Sequence, residues 1–438
     1  MEFKQYPSYK KSGVEWLGDV PEHWQIVRTK DIFNHRKEEA LEDDEIVTAF
    51  RDGQVTLRKN RRTDGFTNSI KEHGYQHINN GDLVIHEMDA FAGAIGVSDS
   101  SGKSTPVYTV CYAKNENINH HFYSHFFRTM AKTGFINSLA KGIRVRSTEF
   151  RWNESRNVYL AEPPKADQEK IVSFLDTETA RIDNLIAKQE KLIELLEEQR
   201  KSIISHAVTK GLNPNALMKD SGVEWLGEVP EHWMTPSSKH LLEIPITDGP
   251  HETPNFVDDG VPFISAEAIS KGKIDFDKKR GYITSELNAI YSKKYSPKID
   301  DIYMVKSGAT TGKVAMVETT EEFNIWSPLA VFRCNKNKVL PKFLLAVFNS
   351  SHFYDALVLN WSYGTQQNIG MGVLSNIEIP CPSLKEQAEI IQHLDAQNTK
   401  FDKLISTQSQ LIEKLKEYRS TIISHAVTGK IDVREFGA

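Results

Sequence analysis

Apolar positions recur with the same alternating spacing of three and four over two long stretches of the chain that are otherwise polar. Between 167 and 208, Leu175, Ile182, Leu185, Gln189, Leu192, Leu196 and Ile203 fall at heptad places. Between 386 and 427 the same places hold Leu394, Phe401, Leu404, Gln408, Leu411, Leu415 and Ile422, each 219 positions further on. Neither stretch contains Gly or Pro, and Gly211 with Pro214, and later Gly429, stand where helix stop signals belong. The pattern predicts two long helices joined along a coiled-coil seam. Gln189 and Gln408 occupy one seam position, where a polar residue costs stability but fixes register, and they are placed to meet across the pair. At about 1.5 Å per residue each helix makes a rod of roughly 60 Å. Periodicity leaves parallel and antiparallel pairing open; a two-fold across the rod, the preferred arrangement, makes the helices antiparallel.

The intervening sequence reads as mixed, with a strand bias. NNGDLVIHE (79–87) and KIDDIYMVK (298–306) each give a turn followed by a short apolar strand. Apolar-faced helices are predicted around Phe122, Phe126 and Met130, and around Phe343, Leu344, Val347 and Phe348 after Pro341. Each region closes on a strand leading into Pro, NVYLAEPPKADQ and NIEIPCPSLKEQ. These regions read as two inserts of one fold with divergent loops.

Around the inserts the chain repeats itself. SGVEWLGDVPEHW (Ser12–Trp24) returns as SGVEWLGEVPEHW (Ser221–Trp233), differing only at Asp19 and Glu228, and SIISHAVT (202–209) returns as TIISHAVT (421–428). A constant frame around a changeable insert suits a protein that presents two different recognition surfaces in one geometry, to a target that is bipartite and asymmetric. The expected division is a frame segment at 1–24, an insert domain at 25–165, a helix at 166–211, a linker and second frame at 212–233, an insert domain at 234–383, a helix at 384–430 and a tail at 431–438. Trp16, Trp24, Trp225 and Trp233 of the frame are expected to dock on their own core, and the lone His206 and His425 to favour the helix dipole.

Composition narrows the class. With 438 residues, 39% hydrophobic and 26% charged, the chain is of ordinary globular composition. No apolar run approaches the roughly 18 residues of a membrane span, and the first residues lack a signal-peptide core, so a cytoplasmic location without membrane contact is expected. Cys111, Cys334 and Cys381 form no CxxC pair, which argues against a disulfide framework or a thiolate metal site.

The net charge of −5 weighs against nucleic acid, yet basic runs concentrate in the inserts: RDGQVTLRKNRR (51–62), KGIRVRSTEFRWNESR (141–156), KGKIDFDKKR (271–280) and KKYSPK (293–298). Candidate phosphate contacts are Arg51, Arg58, Lys59, Arg61, Arg62, Lys141, Arg144, Arg146 and Lys306. SGATTGKV (307–314) fails as a nucleotide-binding loop, because its glycines enclose three residues and Val314 follows Lys313. Its backbone donors with Thr310, Thr311 and Lys313 still suit DNA phosphates or base edges. YGTQQNIG (363–370) gathers Thr365, Gln366, Gln367 and Asn368, whose amides can read adenine; the aligned KGIRVRST (141–148) offers arginines and Thr148. Glu162-Pro163-Pro164-Lys165 only superficially resembles the amine-holding loop of a methyltransferase: it lacks the short polar side chain and the stacking aromatic. No catalytic or metal-ligating set emerges.

Taken together, SGVEWLG[DE]VPEHW, GTQQNIGMGVLSNIEIPCPSLKEQ (364–387) and the long helices ending in SHAVT resemble the specificity (S) subunits of type I restriction-modification systems over nearly the whole length. The resemblance implies an α+β fold: two tandem-repeat target recognition domains joined by a long antiparallel two-helix coiled coil with a pseudo-two-fold, the coil acting as a ruler between two halves of a split site in double-stranded DNA. It also implies two methyltransferase (M) subunits, restriction (R) subunits, no catalysis and no cofactor on this chain, with S-adenosylmethionine, ATP and Mg on the partners. The first insert departs from the pattern, with KGIRVRSTEFRWN where the second has its GTQ loop. Two rival readings are a stand-alone DNA-modifying enzyme and a coiled-coil scaffold that binds no DNA.

Overall fold

The computed structural model describes residues 3–61, 73–139, 150–270, 272–360, 362–363 and 367–437. The chain forms two compact units, Met1–Gln189 with Gln410–Ala438, and Glu190–Ser409. Each unit therefore takes the first part of one long helix and the last part of the other.

In each unit the frame repeat is a hairpin: Tyr9–Lys11 pairs with Asp19–Pro21, and Met218–Asp220 with Glu228–Pro230 in the same register. Gly18 and Gly227 turn the hairpins at φ +65° and +61°, where a side chain would be strained. Trp24 and Trp233 are fully buried, while Trp16 meets Phe126 edge-on at 5.4 Å and Trp225 meets Phe353 at 5.9 Å. The frame tryptophans thus dock on the core of their own unit.

The two inserts have sheets of one strand order. In the first unit β1 (Phe33–His35), β2 (Leu83–His86), β3 (Ile95–Val97) and β4 (Tyr108–Ala113) lie in the order β1-β4-β2-β3. In the second, β5 (Thr247–Asp248), β6 (Ile302–Val305), β7 (Val314–Met316) and β8 (Leu329–Phe332) repeat it as β5-β8-β6-β7. The turn before β2 holds Asp82, whose Oδ2 accepts the Asn79 N–H at 2.8 Å; before β6, Asp301 takes the Lys298 N–H at 2.9 Å. Each buried carboxylate then receives a forked arginine from a different strand end, Arg36 at 2.7 and 2.9 Å, or Arg333 at 2.7 and 2.7 Å. One turn is kept and its countercharge is supplied twice, independently.

Each insert leaves the sheet beside the strand by which it entered. Tyr159–Glu162 pairs with Gln25–Arg28, and single bridges join Met234 to Cys381 and Ser237 to Glu378. The apolar helices form as expected: α1 (His120–Lys132) buries Phe122, Phe126, Phe127 and Met130, and α3 (Pro341–Phe348) buries Phe343, Leu344, Val347 and Phe348. Their starts are held by a buried glutamine. Gln168, in the first turn of α2 (Lys165–Lys210), accepts from Asn119 N at 2.9 Å and donates to the Asn117 and Pro163 carbonyls at 3.1 and 2.8 Å. Gln387, in the first turn of α4 (Leu384–Val427), does the same with Leu340 N, Lys338 O and Pro382 O at 2.8, 3.1 and 2.9 Å.

The long helices run antiparallel within each unit. In the first, Ile171, Phe174 and Leu175 share a core with Ile423, Ala426 and Val427, and Arg419 forks onto Asp183 at 2.9 and 3.1 Å. In the second, Ala207 and Val208 share a core with Ile390 and Leu394, and Arg200 pairs with Asp402 at 2.5 Å. The two ion pairs have the same residue-number sum, 183 with 419 and 200 with 402, so both units keep one register. In that register Gln189 faces the neighbourhood of Glu413 within the first unit, and Gln408 that of Glu194 within the second.

The seam also differs from expectation along one edge. Leu175, Ile182, Leu394, Phe401 and Ile422 are buried, and Leu185, Gln189, Leu196, Ile203, Gln408 and Leu415 are half-buried. Leu192, Leu404 and Leu411 are 39%, 46% and 39% exposed, while their neighbours Ile193 and Ile405 are half-buried and Ile412 is buried. At Gln189, Phe401 and Gln408 the inward companion comes four positions on rather than three. Both choices lie on one helical face, and the antiparallel partner decides which edge it covers.

Candidate nucleic-acid interface

In the first unit the turn between the short strands Val47–Ala49 and Val55–Leu57 and the 3-10 turn Arg58–Asn60 border an open cleft of about 700 Å³. Arg51, Arg58 and Arg61 all line it, so three residues chosen from one basic run converge on one concavity. None stands as a bare charge. Arg51 pairs with Asp89 at 2.9 Å, Arg61 with Asp52 at 2.7 Å while lying 4.2 Å over the Phe50 ring, and Arg58 Nε donates to Thr48 at 3.3 Å. Lys59, exposed outside the lining, pairs with Glu45. Three arginines against two aspartates leave the lining cationic, but less so than the run alone suggests.

Two polar groups in the cleft escaped the sequence reading. His86 Nδ1 accepts the Asp89 N–H at 3.2 Å, and burial lowers the imidazole pKa, so the neutral ring carries its proton on Nε2 as a donor. Tyr108 stacks edge-on to His86 at 4.6 Å, and burial pushes its hydroxyl up to about 12. Arginines, a neutral donor and a phenol hydroxyl can engage phosphates and base edges.

In the second unit the two loops proposed separately are one structure. Gly308 N donates to Gln367 O at 3.1 Å, Ile369 N to Lys306 O at 2.8 Å, and Ser307 bridges to Asn368. Thr311 is buried and closes its own turn, Oγ1 to Gly308 O at 2.7 Å, so it shapes the loop. Lys313, Gln367 and Asn368 are exposed and Thr310 is half-buried, so these four lie at the surface of the loop. Lys306 is only 13% exposed and sits 3.3 Å from Asp248, which also takes Lys294 at 2.6 Å and His251 at 3.1 Å. Its charge is committed inside the protein. Arg280, from another basic run, lies 4.2 Å over Trp326 and 3.3 Å from Glu267. Arg62, Lys141, Arg144, Arg146, Thr148, Thr365 and Gln366 lie outside the described residues.

Among the described residues no group of three His, Cys, Asp or Glu side chains suits a metal ion, and no helix is long and apolar enough to cross a membrane. Cys111, Cys334 and Cys381 are buried free thiols, and burial raises the pKa of each.

The architecture is α+β, with two tandem domains of one sheet order and a long antiparallel helix pair. Comparison with known proteins gives this class its family. The type I restriction modification DNA specificity domain matches residues 21–195 and again 230–417, and the chain belongs to that family as a DNA sequence-recognition subunit. The MjaVIII type I restriction enzyme specificity subunit of Methanocaldococcus jannaschii is 25% identical over 433 residues, covering 95% of this chain and 94% of the relative. The EcoKI specificity subunit of Escherichia coli K12 is 21% identical over 440 residues, covering 94% and 90%. Among solved structures, a chain from work on assembly and conformational transition of a type I R-M system superposes with a TM-score of 0.65 at 16% identity, over 93% of this chain and 98% of that one. The HsdS subunit of Thermoanaerobacter tengcongensis gives 0.51 at 16% identity, over 94% and 98%.

Proposed function

We propose that the chain reads a split, asymmetric site in double-stranded DNA, one half through each insert, and performs no chemistry itself. The observation that carries this reading is that two domains of identical sheet order expose different chemistry at their loops. One offers an arginine-lined cleft with His86 and Tyr108, the other Thr310, Lys313, Gln367 and Asn368. Cationic side chains set register on phosphates, while amides and arginines read base edges. Two methyltransferase subunits and the restriction subunits, docked on the constant frame, supply S-adenosylmethionine, ATP and Mg, and with them base extrusion, methylation and cleavage. The location is cytoplasmic.

A salt series tests it. Retention of a duplex carrying the site by the full chain with its methyltransferase partners should fall steeply as salt rises, the log–log slope counting the neutralised phosphates at about −0.9 each. Alanine at Arg51, Arg58 and Arg61 should flatten that slope. Salt-independent retention, or none, would instead support the scaffold reading, which draws on the net charge and on the acids paired to the basic run.

A further inference from the structure

A second concavity in the first unit, about 210 Å³, lies between α1 and the last turns of α4 and is separate from the arginine-lined cleft. Arg128 and Lys132 supply its cations, His125 and His425 its imidazoles, and Thr129, Thr421 and Ser424 are among its hydroxyls; among the described residues no carboxylate lines it. The charge there is not balanced from nearby. Arg419 is forked onto Asp183, and Asp52, the acid that acts on Arg128 from a distance, is already paired with Arg61. Nδ1 of His125 and Nε of Arg128 are buried and meet no hydrogen-bonding group among the described residues. Buried polar atoms without a partner are rare enough in proteins to call for an explanation. Burial, with repulsion from Arg128 and other neighbouring cations, pushes the His125 imidazole down to about 3, so the ring is neutral and adds no charge to that of Arg128 and Lys132.

The duplication supplies an internal control. Counting from the glutamine-held helix starts, Asn119 and Leu340, His125, Arg128 and Lys132 correspond to Ala346, Asn349 and Phe353. Asn349 bonds its own helix at Leu345 O, 2.9 Å away, and Phe353 is buried in the core. Ser205, the counterpart of Ser424, is closed off by Ser351, whose N–H and hydroxyl both lie 2.9 Å away. The frame therefore does not require cations here, and only the first unit keeps them around an open space.

The geometry points to a binding site for a phosphate-class oxyanion in this pocket, held by Arg128 and Lys132 with the hydroxyls of Thr129, Thr421 and Ser424. Several hydroxyls around two cations suit the four oxygens of a tetrahedral oxyanion better than the two of a carboxylate. The group comes either as free phosphate or phosphoryl, or as a backbone phosphate of duplex DNA.

Calorimetric titration of the full chain with inorganic phosphate at constant ionic strength tests this. One site is expected, weakened about tenfold by Arg128→Gln and by Lys132→Ala, the loss of one hydrogen bond to a charged group. Lys132 is exposed, so its variant keeps the test valid should Arg128→Gln fail to fold. Lys385→Ala, remote in the other unit and 88% exposed, should leave the affinity unchanged. Suppression of the phosphate heat by saturating duplex assigns the site to backbone phosphate, and an unaffected heat assigns it to a free ligand. No binding at millimolar phosphate, or equal affinity in all four proteins, overturns the proposal.

Discussion

Trp233 donates its indole N–H to Oε1 of Glu386 at 3.0 Å, tying the last residue of the second frame repeat to the first turn of α4. The first unit repeats the tie: Trp24 reaches Asp167 at 3.4 Å, with His23 on the same carboxylate at 2.8 Å, as His232 is on Glu386 at 3.0 Å. Against the same two indoles lie Gly429 and Gly211, just past the ends of the long helices, where a Cβ would come within 3.1 and 3.3 Å of the rings of Trp24 and Trp233. Each frame is thus held where one long helix begins and the other ends, which explains why SGVEWLG and SHAVT are repeated together.

Glu386→Ala leaves the buried Trp233 N–H unpaired and should cost about 1–3 kcal/mol. Glu386→Gln keeps an acceptor and should cost less. Urea midpoints of the two variants would order them; equal midpoints for wild type and Glu386→Ala would remove the tie from the stability of the second unit.

The seam edge makes a paired prediction. Ile412→Asp buries a charge at a 6% exposed position and should destabilise by about 3 kcal/mol or more, whereas Leu411→Asp should cost less than about 1 kcal/mol. The opposite order in thermal or urea unfolding would restore Leu411 to the seam.

Asp248 gives a pH dependence. Burial raises its pKa, but the hydrogen bond from Lys294 and the charges of Lys294 and Lys306 outweigh that and hold it below the ordinary carboxylate range. A carboxylate lowered on folding stabilises above its unfolded pKa, and that stability is lost as pH falls through the folded value. Asp248→Asn should therefore be less stable than wild type at about pH 6, with the gap closing under acid. A gap independent of pH would contradict this sign.

The common register names the heptads to remove together. Deleting 190–196 with 406–412 takes out segments that face each other and leaves the flanking pairs, Asp183 with Arg419 among them, in step. If the helix pair is the ruler, the half-sites should close by about 10 Å, roughly three base pairs. Recognition of the original spacing by the shortened chain would refute the ruler.

Much of this was legible in the chain because it is written locally or periodically. Heptads gave both long helices, and the repeated frame gave two copies and the buried tryptophans. What was not legible depends on partners far away in sequence. Arg51 meets Asp89 across 38 residues, and Asp248 meets Lys294 across 46, so basic runs looked freer than they are. Nothing in SGATTGKV announces its pairing with Gln367 and Asn368, and a seam of adjacent Leu and Ile residues does not say which of them faces in. Gln168 and Gln387 sat in plain view within the repeated ADQ and KEQ, yet their role is visible only once the insert helices they hold are placed.

The central claim is that each insert reads its own half of one site. A map of methylated bases in cells carrying the whole system, with this chain as wild type, Gln367→Ala/Asn368→Ala or Arg58→Ala/Arg61→Ala, tests it most directly. The account predicts a split motif in which each double variant alters or relaxes one half, a different half for each, and leaves the other intact. Variants that fold yet change neither half, or change the same half, would contradict it.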